Sequence, residues 1–225
     1  MKVAAFATIK MNSQRVPHKN IQPIGSRPLC YHIVHTALQI EKIDDVYVYC
    51  SDEAVIDYIP KEAKFLKREP WLDGDEIRAN DTYSAFLKDI DADIYIALCT
   101  TSPFIQKETL RNALDKVLLE NYDSAFTAKR MQTFAWYKGG PVNYDVANVP
   151  RTQDLEPVFV ETSAFFIFKK MRKYLRETQL FLIPMASYCK KYFPEYTNVF
   201  GILKRNIEAL NSSMRMMLEK IDSEK

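Results

Sequence analysis

The chain has 225 residues, 47% of them hydrophobic and 27% charged, a composition that suits one soluble globular α/β domain with a substantial core. Its 31 basic and 29 acidic residues leave a net charge of only +2, which argues against a nucleic-acid-binding module driven by bulk positive charge. The apolar runs fall far short of the ~20 residues that a membrane-spanning helix needs, so we expect neither nucleic acid nor a membrane as a partner.

The amino-terminal run Val3–Ile9 is apolar and predicts a buried first strand. It does not fit a secretory signal peptide, because Lys10 interrupts the apolar stretch and no small-residue cleavage site follows. We therefore expect a cytoplasmic protein.

The cysteines contain no C-x-x-C pair, and the chain has only three histidines. This pattern predicts buried free thiols rather than a zinc site or a disulfide framework. The four residues are Cys30, Cys50, Cys99 and Cys189.

Up to about residue 130, β-type runs alternate with helical stripes. The predicted strands are Val3–Ile9, Val46–Tyr49, Lys64–Arg68, Ile94–Leu98 and Asp123–Ala128. The predicted helices begin at Ser26 as an N-cap, cover Val55–Ile59 and Asn80–Ile90 (capped near Asn80 or Asp81), and carry the stripe Leu110–Leu118. This alternation predicts βαβ units around a mainly parallel sheet.

Polar loops follow three of the predicted strands, after Ile9, Tyr49 and Leu98. In parallel sheets, ligands bind at the carboxyl ends of the strands. The sequence therefore predicts a pocket where these three loops meet.

The alternation ends near residue 130. Phe134–Lys138 and the following Gly139-Gly140-Pro141 predict a hairpin, and Val158–Phe168 is a long β-type run with polar residues in its middle. A final helix is predicted over Arg205–Ile221. We interpret residues 1–225 as a single domain with an excursion over about 130–200.

The loop Lys10–Asn20 combines three permanent cations, Lys10, Arg15 and Lys19, with amide and hydroxyl donors. A triphosphate needs such a loop, because several cations must neutralise its spread charge while fixed donors hold its oxygens. The loop is not a Walker loop, since the G-x-x-x-x-G-K-[ST] pattern is absent. On charge alone, a solvated basic surface loop is the alternative.

The order of residues in this loop resembles the nucleotide-binding loop of the acylneuraminate cytidylyltransferase family. The family pattern is roughly A-R-x-x-S-K-R-x-P-x-K-N, followed by I-x-P-x-x-G-x-P-L. This chain reads I-K-M-N-S-Q-R-V-P-H-K-N, followed by I-Q-P-I-G-S-R-P-L. Six further segments resemble family motifs in the same order along residues 3–168: Val46–Glu53, Leu66–Arg68, Asn80–Thr82, Leu98–Phe104, Pro150–Leu155 and Thr162–Ile167.

The resemblance implies a Rossmann-like three-layer α/β sandwich of the nucleotide-diphospho-sugar transferase type. It also implies transfer of a cytidylyl group from CTP to a nonulosonate-like sugar acid or related acceptor, with release of pyrophosphate, for surface polysaccharide or glycoconjugate synthesis. The alternative is a family member that binds nucleotide but has lost catalysis and serves as a partner or regulatory subunit.

The resemblance further implies roles for individual residues. Lys10, Arg15 and Lys19 form the catalytic clamp on the triphosphate. The nucleotide-binding residues are Asn12, Ser13, Asn20, Arg68, Asp81, Thr101 and Ser102, with Asn20 and Arg68 near the cytidine and Asp81 supporting the pocket by capping its helix. The acceptor-binding residues are Arg151, Gln153, Thr162 and Ser163; an arginine there suits a carboxylate or phosphate.

The chain departs from the family pattern at several points. Lys10 stands where the family has Arg, and Gln14 where it has Lys. Thr162-Ser163 replaces Asn-Gly on the acceptor side, which favours a different acceptor. The family holds Mg²⁺ with a D-x-D pair near its carboxyl terminus, and the corresponding stretch here, Asn198–Arg205, contains no acidic residue.

We therefore expect Mg²⁺ to enter bound to CTP. Glu161 is the nearest candidate metal-binding carboxylate; a solvated or acceptor-facing side chain is the alternative for it.

A homodimer is predicted through the carboxyl-terminal third. Apolar residues recur there at 3-4-3-4 spacing on one helical stripe, at Ile207, Leu210, Met214, Met217 and Ile221. Aromatic residues precede the stripe, at Phe181, Tyr188, Tyr192 and Phe193. Burial of the stripe against the chain's own core is the alternative.

Overall fold

In the computed structural model, residues 1–13, 16–120 and 122–170 are described. They contain the strands β1 (Val3–Ile9), β2 (Pro23–Ile24), β3 (Arg27–Pro28), β4 (Asp45–Cys50), β5 (Lys64–Lys67), β6 (Ile94–Leu98), β7 (Ser124–Met131), β8 (Trp136–Tyr137), β9 (Gly140–Pro141) and β10 (Val158–Lys169). The α-helices are α1 (Leu29–Leu38), α2 (Ala79–Asp89) and α3 (Lys107–Leu119). Short 3₁₀ turns cover Lys19–Ile21, Glu53–Tyr58, Pro70–Asp73 and Thr152–Asp154.

The main sheet has six strands in the order β5-β4-β1-β6-β10-β7. Strands β5, β4, β1 and β6 are parallel, whereas β10 runs antiparallel to both β6 and β7. The central strand β1 pairs on both sides, with Ala5 opposite Val46 of β4 and Ile96 of β6. A mainly parallel sheet, as predicted, therefore carries an antiparallel extension at one edge.

Helices cover both faces of the sheet, which explains why β1 reads as a continuous apolar run. Successive residues of a strand point to opposite faces. Ala5 belongs to the core on the side of α1 and α3, with Ile33 and Leu110. Phe6 belongs to the core on the side of α2, where its ring stacks on Phe86 at 4.0 Å between centroids. The three-layer α/β sandwich is thus confirmed.

Two predicted helix starts are wrong in detail. Helix α1 begins at Leu29, and Ser26 is not its N-cap, because Arg27 pairs with Ile24 in a hairpin that turns at Gly25. A residue before proline is disfavoured in the α conformation, which keeps Arg27 extended and delays the helix until after Pro28.

Helix α2 begins at Ala79 with Arg78 as its N-cap, one residue before the predicted start. Asp81 does cap the helix, but from the third helical position: its carboxylate accepts a hydrogen bond of 2.9 Å from the Arg78 backbone N–H. This arrangement is the carboxylate half of a capping box.

Cys30 and Cys50 are buried and Cys99 is half-buried, each as a free thiol. No helix in the described part of the chain is long and apolar enough to cross a bilayer. Several predictions lie outside the described residues: Gln14, Arg15, Cys189, the aromatic residues 181–193, the stretch Asn198–Arg205 and the helical stripe of residues 207–221 with its homodimer.

Candidate functional site

A cavity of about 1040 Å³ lies at the carboxyl ends of the parallel strands. The loop after β1 forms one side, the segment of residues 68–83 forms the opposite side, and the turn Cys99–Thr101 after β6 closes the base. The cavity is therefore at the predicted edge of the sheet, but the loop after Tyr49 contributes no lining residue, and the segment after β5 takes its place.

Lys10 follows β1 directly and reaches across to the opposite side of the cavity. Its ammonium donates hydrogen bonds to the backbone carbonyls of Asp73, at 2.7 Å, and Gly74, at 3.1 Å. A cation already held in place on the cavity surface is suited to bind an anionic ligand, because little side-chain entropy is lost when the ligand binds.

Asn20 connects the end of the basic loop to two strand ends. Its side-chain amide donates to the Lys10 carbonyl at 2.8 Å, and its Oδ1 accepts from the Thr100 hydroxyl at 2.7 Å. Asn20 and Thr100 are only 5% and 6% exposed, so both hydrogen bonds are shielded from water. The two ends of the loop, at Lys10 and Asn20, are thereby held to each other and to the turn after β6.

Arg68 follows β5 and is only 2% exposed. Its Nη2 donates to the carbonyl of Ile9 at 3.0 Å and also pairs with the carboxylate of Asp73. That carboxylate accepts a second hydrogen bond, from the Ser51 hydroxyl after β4. Arg68 and Asp73 thus join three strand ends through one ion pair, in which Arg68 is buried and the Asp73 side chain is 18% exposed. Nε of Arg68 has no partner among the described residues.

The start of α2 contributes Arg78, Thr82 and Tyr83 to the cavity. Burial raises the pKa of the Tyr83 phenol to about 12, with the nearby Cys99 and Glu161 adding to the effect. The phenol is therefore a neutral hydrogen-bonding group near neutral pH.

Seven of the predicted nucleotide-side residues line the cavity: Lys10, Asn12, Ser13, Lys19, Asn20, Arg68 and Thr101. Arg15 lies outside the described residues. Asp81 and Ser102 are not part of the lining; Asp81 caps α2, and the Ser102 N–H donates to the Cys99 carbonyl at 3.1 Å within the turn.

The predicted acceptor-side residues lie apart from the cavity lining. Arg151 and Gln153 are exposed, and the Arg151 side chain pairs with Asp154 at 2.6 Å. Glu161, Thr162 and Ser163 form an exposed bulge in β10, and the next residue, Ala164, accepts a hydrogen bond of 2.9 Å from the N–H of the cavity residue Cys99.

Sequence reasoning missed several cavity residues, among them Asp73, Asp75, Arg78, Tyr83 and Thr100. Arg78 and Tyr83 flank the Asn80–Thr82 motif, so their position next to a family motif was a usable signal. Asp73 carried no such signal, because it lies 63 positions from its partner Lys10 in the sequence.

The acidic residues of the described chain bear on the predicted magnesium site. Within residues 1–13, 16–120 and 122–170, no three His, Cys, Asp or Glu side chains are grouped as metal ligands. The cavity lining holds two acidic residues, Asp73, which is engaged by Arg68 and Ser51, and Asp75. Mg²⁺ is commonly held by one or two carboxylates together with substrate phosphates, so the described residues fit an ion that arrives with a nucleotide.

Comparison with known proteins identifies the relatives of this fold and site. A family profile described as cytidylyltransferase matches residues 9–223. The chain is 27% identical over 179 residues to an N-acylneuraminate cytidylyltransferase of Oncorhynchus mykiss, covering 75% of this chain and 41% of that protein. It is 26% identical over 126 residues to a CMP-N,N'-diacetyllegionaminic acid synthase of Legionella pneumophila, covering 51% of this chain and 53% of the relative.

Among solved structures, the chain is similar to a CMP:2-keto-3-deoxy-manno-octonic acid synthetase complexed with CTP. The TM-score is 0.57 at 17% identity, over 75% of this chain and 74% of that one. This likeness supports the fold. The chain spans about two fifths of the length of the N-acylneuraminate cytidylyltransferase that it matches, at 41%.

Proposed function

The chain belongs to the cytidylyltransferase family, and we propose that it is an enzyme that transfers CMP from CTP to a nonulosonate-like sugar acid. An acceptor oxygen attacks the α-phosphorus of CTP in line with the leaving group. The new bond joins that oxygen to the α-phosphorus, the bond to the bridging oxygen of the β-phosphate breaks, and pyrophosphate leaves. The acceptor hydroxyl gives up its proton to the solvent.

The observation that carries this proposal is the pinned basic loop beside the cavity. Lys10 and Lys19 line a cavity of about 1040 Å³, and the Asn20 hydrogen bonds fix the loop that carries them. Nucleotidyl transfer depends mainly on positioning and on neutralising phosphate charge. A fixed cationic loop at strand ends supplies both, and Asn12 and Ser13 add polar donors next to it.

We propose that Mg²⁺ takes part as an ion bound with CTP, with Asp75 as the candidate carboxylate on the cavity surface. When bound, the ion supplies neutralisation of the phosphate charge.

The relatives support a sugar-acid acceptor. The names of the two curated relatives and of the solved structure refer to N-acylneuraminate, N,N'-diacetyllegionaminic acid and 2-keto-3-deoxy-manno-octonic acid. All three are sugar acids, so we propose an acceptor of this class and use the three as probes.

The test is pyrophosphate release with each probe acid, measured with CTP and with UTP at equal concentration. We expect turnover with at least one acid and a preference for CTP of orders of magnitude, because a site that accepts a hydrogen bond from the cytosine amine leaves that acceptor unpaired against uracil. Similar rates with UTP would contradict the cytidylyl assignment. Calorimetric binding of CTP without turnover on any acid would favour the alternative, a nucleotide-binding member that has lost catalysis.

A further inference from the structure

Strand β10 is irregular beside the cavity. Its register with β7 shifts between Glu161 and Phe166, and within this bulge Ser163 has a φ of 52°. Residues with a Cβ rarely adopt this left-handed conformation, because the side chain crowds the following carbonyl. Ser163 stands where the family pattern has glycine. Its backbone is therefore strained where glycine's would not be, and the position carries a hydroxyl group that glycine lacks.

Three hydrogen bonds fix the bulge. The Ser163 hydroxyl donates to Oε1 of Glu161 at 2.7 Å. The Ala164 N–H donates to the Thr127 hydroxyl at 2.9 Å, and the Ala164 carbonyl accepts from the Cys99 N–H at 2.9 Å. Since Cys99 lines the cavity, the bulge is attached to the cavity base.

Glu161 lies close enough to the cavity to act on it electrostatically. Its negative charge contributes to the raised pKa of Tyr83, a cavity residue, although burial is the larger cause. The carboxylate is exposed, and the hydroxyl of Ser163 fixes one of its two oxygens. The other oxygen can accept a hydrogen bond from a molecule that extends out of the cavity on this side.

We propose that Ser163 is a positioning residue that holds the Glu161 carboxylate at the acceptor side of the cavity, where it accepts a hydrogen bond from a hydroxyl or amide N–H of the sugar acid. The inference rests on the proposed function. A carboxylate repels the acid group of such an acceptor, so Glu161 fits the hydroxyl or acylamino face of the sugar.

The substitution Ser163→Gly separates this role from a structural one. Glycine relieves the backbone strain but removes the hydroxyl, so the variant keeps an unfolding midpoint in urea at least as high as that of the wild type. With the best probe acid of the CTP assay, its KM for the acid rises about tenfold, as expected when the Glu161 carboxylate is no longer held in place and its charge-assisted hydrogen bond to the acid is lost, whereas its KM for CTP changes less than about twofold.

Lys138→Gly is the matched control. Lys138 has a φ of 51° in an exposed turn, so glycine relieves the same strain away from the cavity. This variant gains stability and keeps both KM values. An acceptor KM of Ser163→Gly equal to that of the wild type would overturn the proposal.

Glu161→Gln tests the carboxylate itself. It raises the acceptor KM about as much as Ser163→Gly does, and the double variant is no worse than Glu161→Gln alone, because the two residues act as one unit. The Mg²⁺ concentration for half-maximal activity stays unchanged. A shift of that concentration would overturn the proposal in favour of the metal role.

The wild type could also show no turnover with any probe acid, an outcome that the KM comparisons do not cover. That outcome would refute the proposed function and, with it, the acceptor role of Glu161. Urea unfolding of Ser163→Gly, Glu161→Gln and their double variant still tests the contact between Ser163 and Glu161, because it needs no substrate. The relief of backbone strain by glycine is the same in both backgrounds and cancels in this double-mutant cycle. A favourable coupling energy then supports the contact, and zero coupling overturns it.

Discussion

The two ends of the parallel sheet use charged residues in different ways. At the amino end, Lys2 and Lys64 pair with Asp45, and the lysine side chains stay 47% and 57% exposed. At the carboxyl end, Arg68 is 2% exposed and pairs with Asp73 beside the cavity. The two carboxylates are similarly covered, Asp45 at 14% and Asp73 at 18% exposed, so the difference lies in the cations: the lysines at the amino end stay hydrated, whereas the Arg68 guanidinium is withdrawn from water.

This difference indicates which charged and polar residues serve the cavity and not the stability of the sheet. Surface ion pairs add little to stability, because water and salt screen their attraction and holding two long side chains in one geometry costs conformational entropy. A buried ion pair costs more to form and tolerates no missing partner. Buried polar side chains such as Asn20, Arg68 and Thr100 are therefore explained by the cavity that they shape rather than by the stability of the sheet.

Replacement of Arg68 by methionine should give the largest effect. It leaves the Asp73 carboxylate without its cation and removes the hydrogen bond to the Ile9 carbonyl at the end of β1. We therefore expect a loss of about 3–5 kcal/mol in the free energy of unfolding. CTP binding measured calorimetrically should fall below detection in the protein that remains folded. Urea unfolding at pH 7 gives the stability.

Lys67→Met is the control for this variant. Lys67 is the adjacent residue, but it pairs on the surface with Glu53, and both side chains are 63% exposed. We expect a change of less than about 1 kcal/mol. If Arg68→Met cost no more than Lys67→Met, the buried cation at the carboxyl end would matter no more than an exposed one beside it.

The basic loop could be predicted because its information is local. Lys10, Lys19 and Asn20 follow an apolar strand within a few residues, and a parallel sheet places such a loop at the ligand-binding edge. Asp73 reaches the same place only because the turn Pro70–Asp73 packs against the end of β1. Contacts across 63 residues depend on tertiary packing, which local pattern does not encode.

The acceptor side was predicted less completely for a related reason. The sequence pointed to the Thr162-Ser163 position, but a left-handed serine is too rare to expect from its residue type. The glycine of the family pattern was the one available signal, since glycine marks positions that need a positive φ. Arg151 was also predicted on the acceptor side. It lies just before the exposed turn Thr152–Asp154, and its side chain pairs with Asp154.

Thr100→Val should have an intermediate effect. Valine has nearly the shape of threonine but cannot donate to Asn20, which leaves the buried Oδ1 without that partner. We expect a cost of about 1–3 kcal/mol in unfolding free energy and about tenfold weaker CTP binding, because the loop that carries Lys10 and Lys19 loses its anchor.

Thr100→Ser restores the hydroxyl and should recover CTP binding. Ser124→Ala is the matched control, since the Ser124 hydroxyl is also buried but has no hydrogen-bond partner among the described residues. It should leave CTP binding unchanged. Wild-type CTP affinity in Thr100→Val would show that the Asn20 contact does not position the loop.

Asp45→Asn should give the smallest effect and one that depends on pH. The hydrogen bond from Lys64, aided by those from Tyr47 and Lys2, lowers the pKa of Asp45, while partial burial opposes this. A lowered folded-state pKa gives stability that is present above the unfolded value of about 3.9 and is lost as the pH falls through the folded value. Solvent screens both lysines, so we expect Asp45→Asn to cost less than about 1 kcal/mol at pH 7.

The difference between wild type and Asp45→Asn should shrink towards zero as the pH is lowered below 4, and 1 M salt should reduce it at pH 7. Asp57→Asn provides the reference, because Asp57 is exposed and no partner is found for it in the described part of the chain. Urea unfolding at pH 7 and at pH 3, with and without salt, measures all three proteins. A large cost for Asp45→Asn that neither acid nor salt removes would mean that the amino end also holds a desolvated ion pair, and the contrast between the two ends would then be lost.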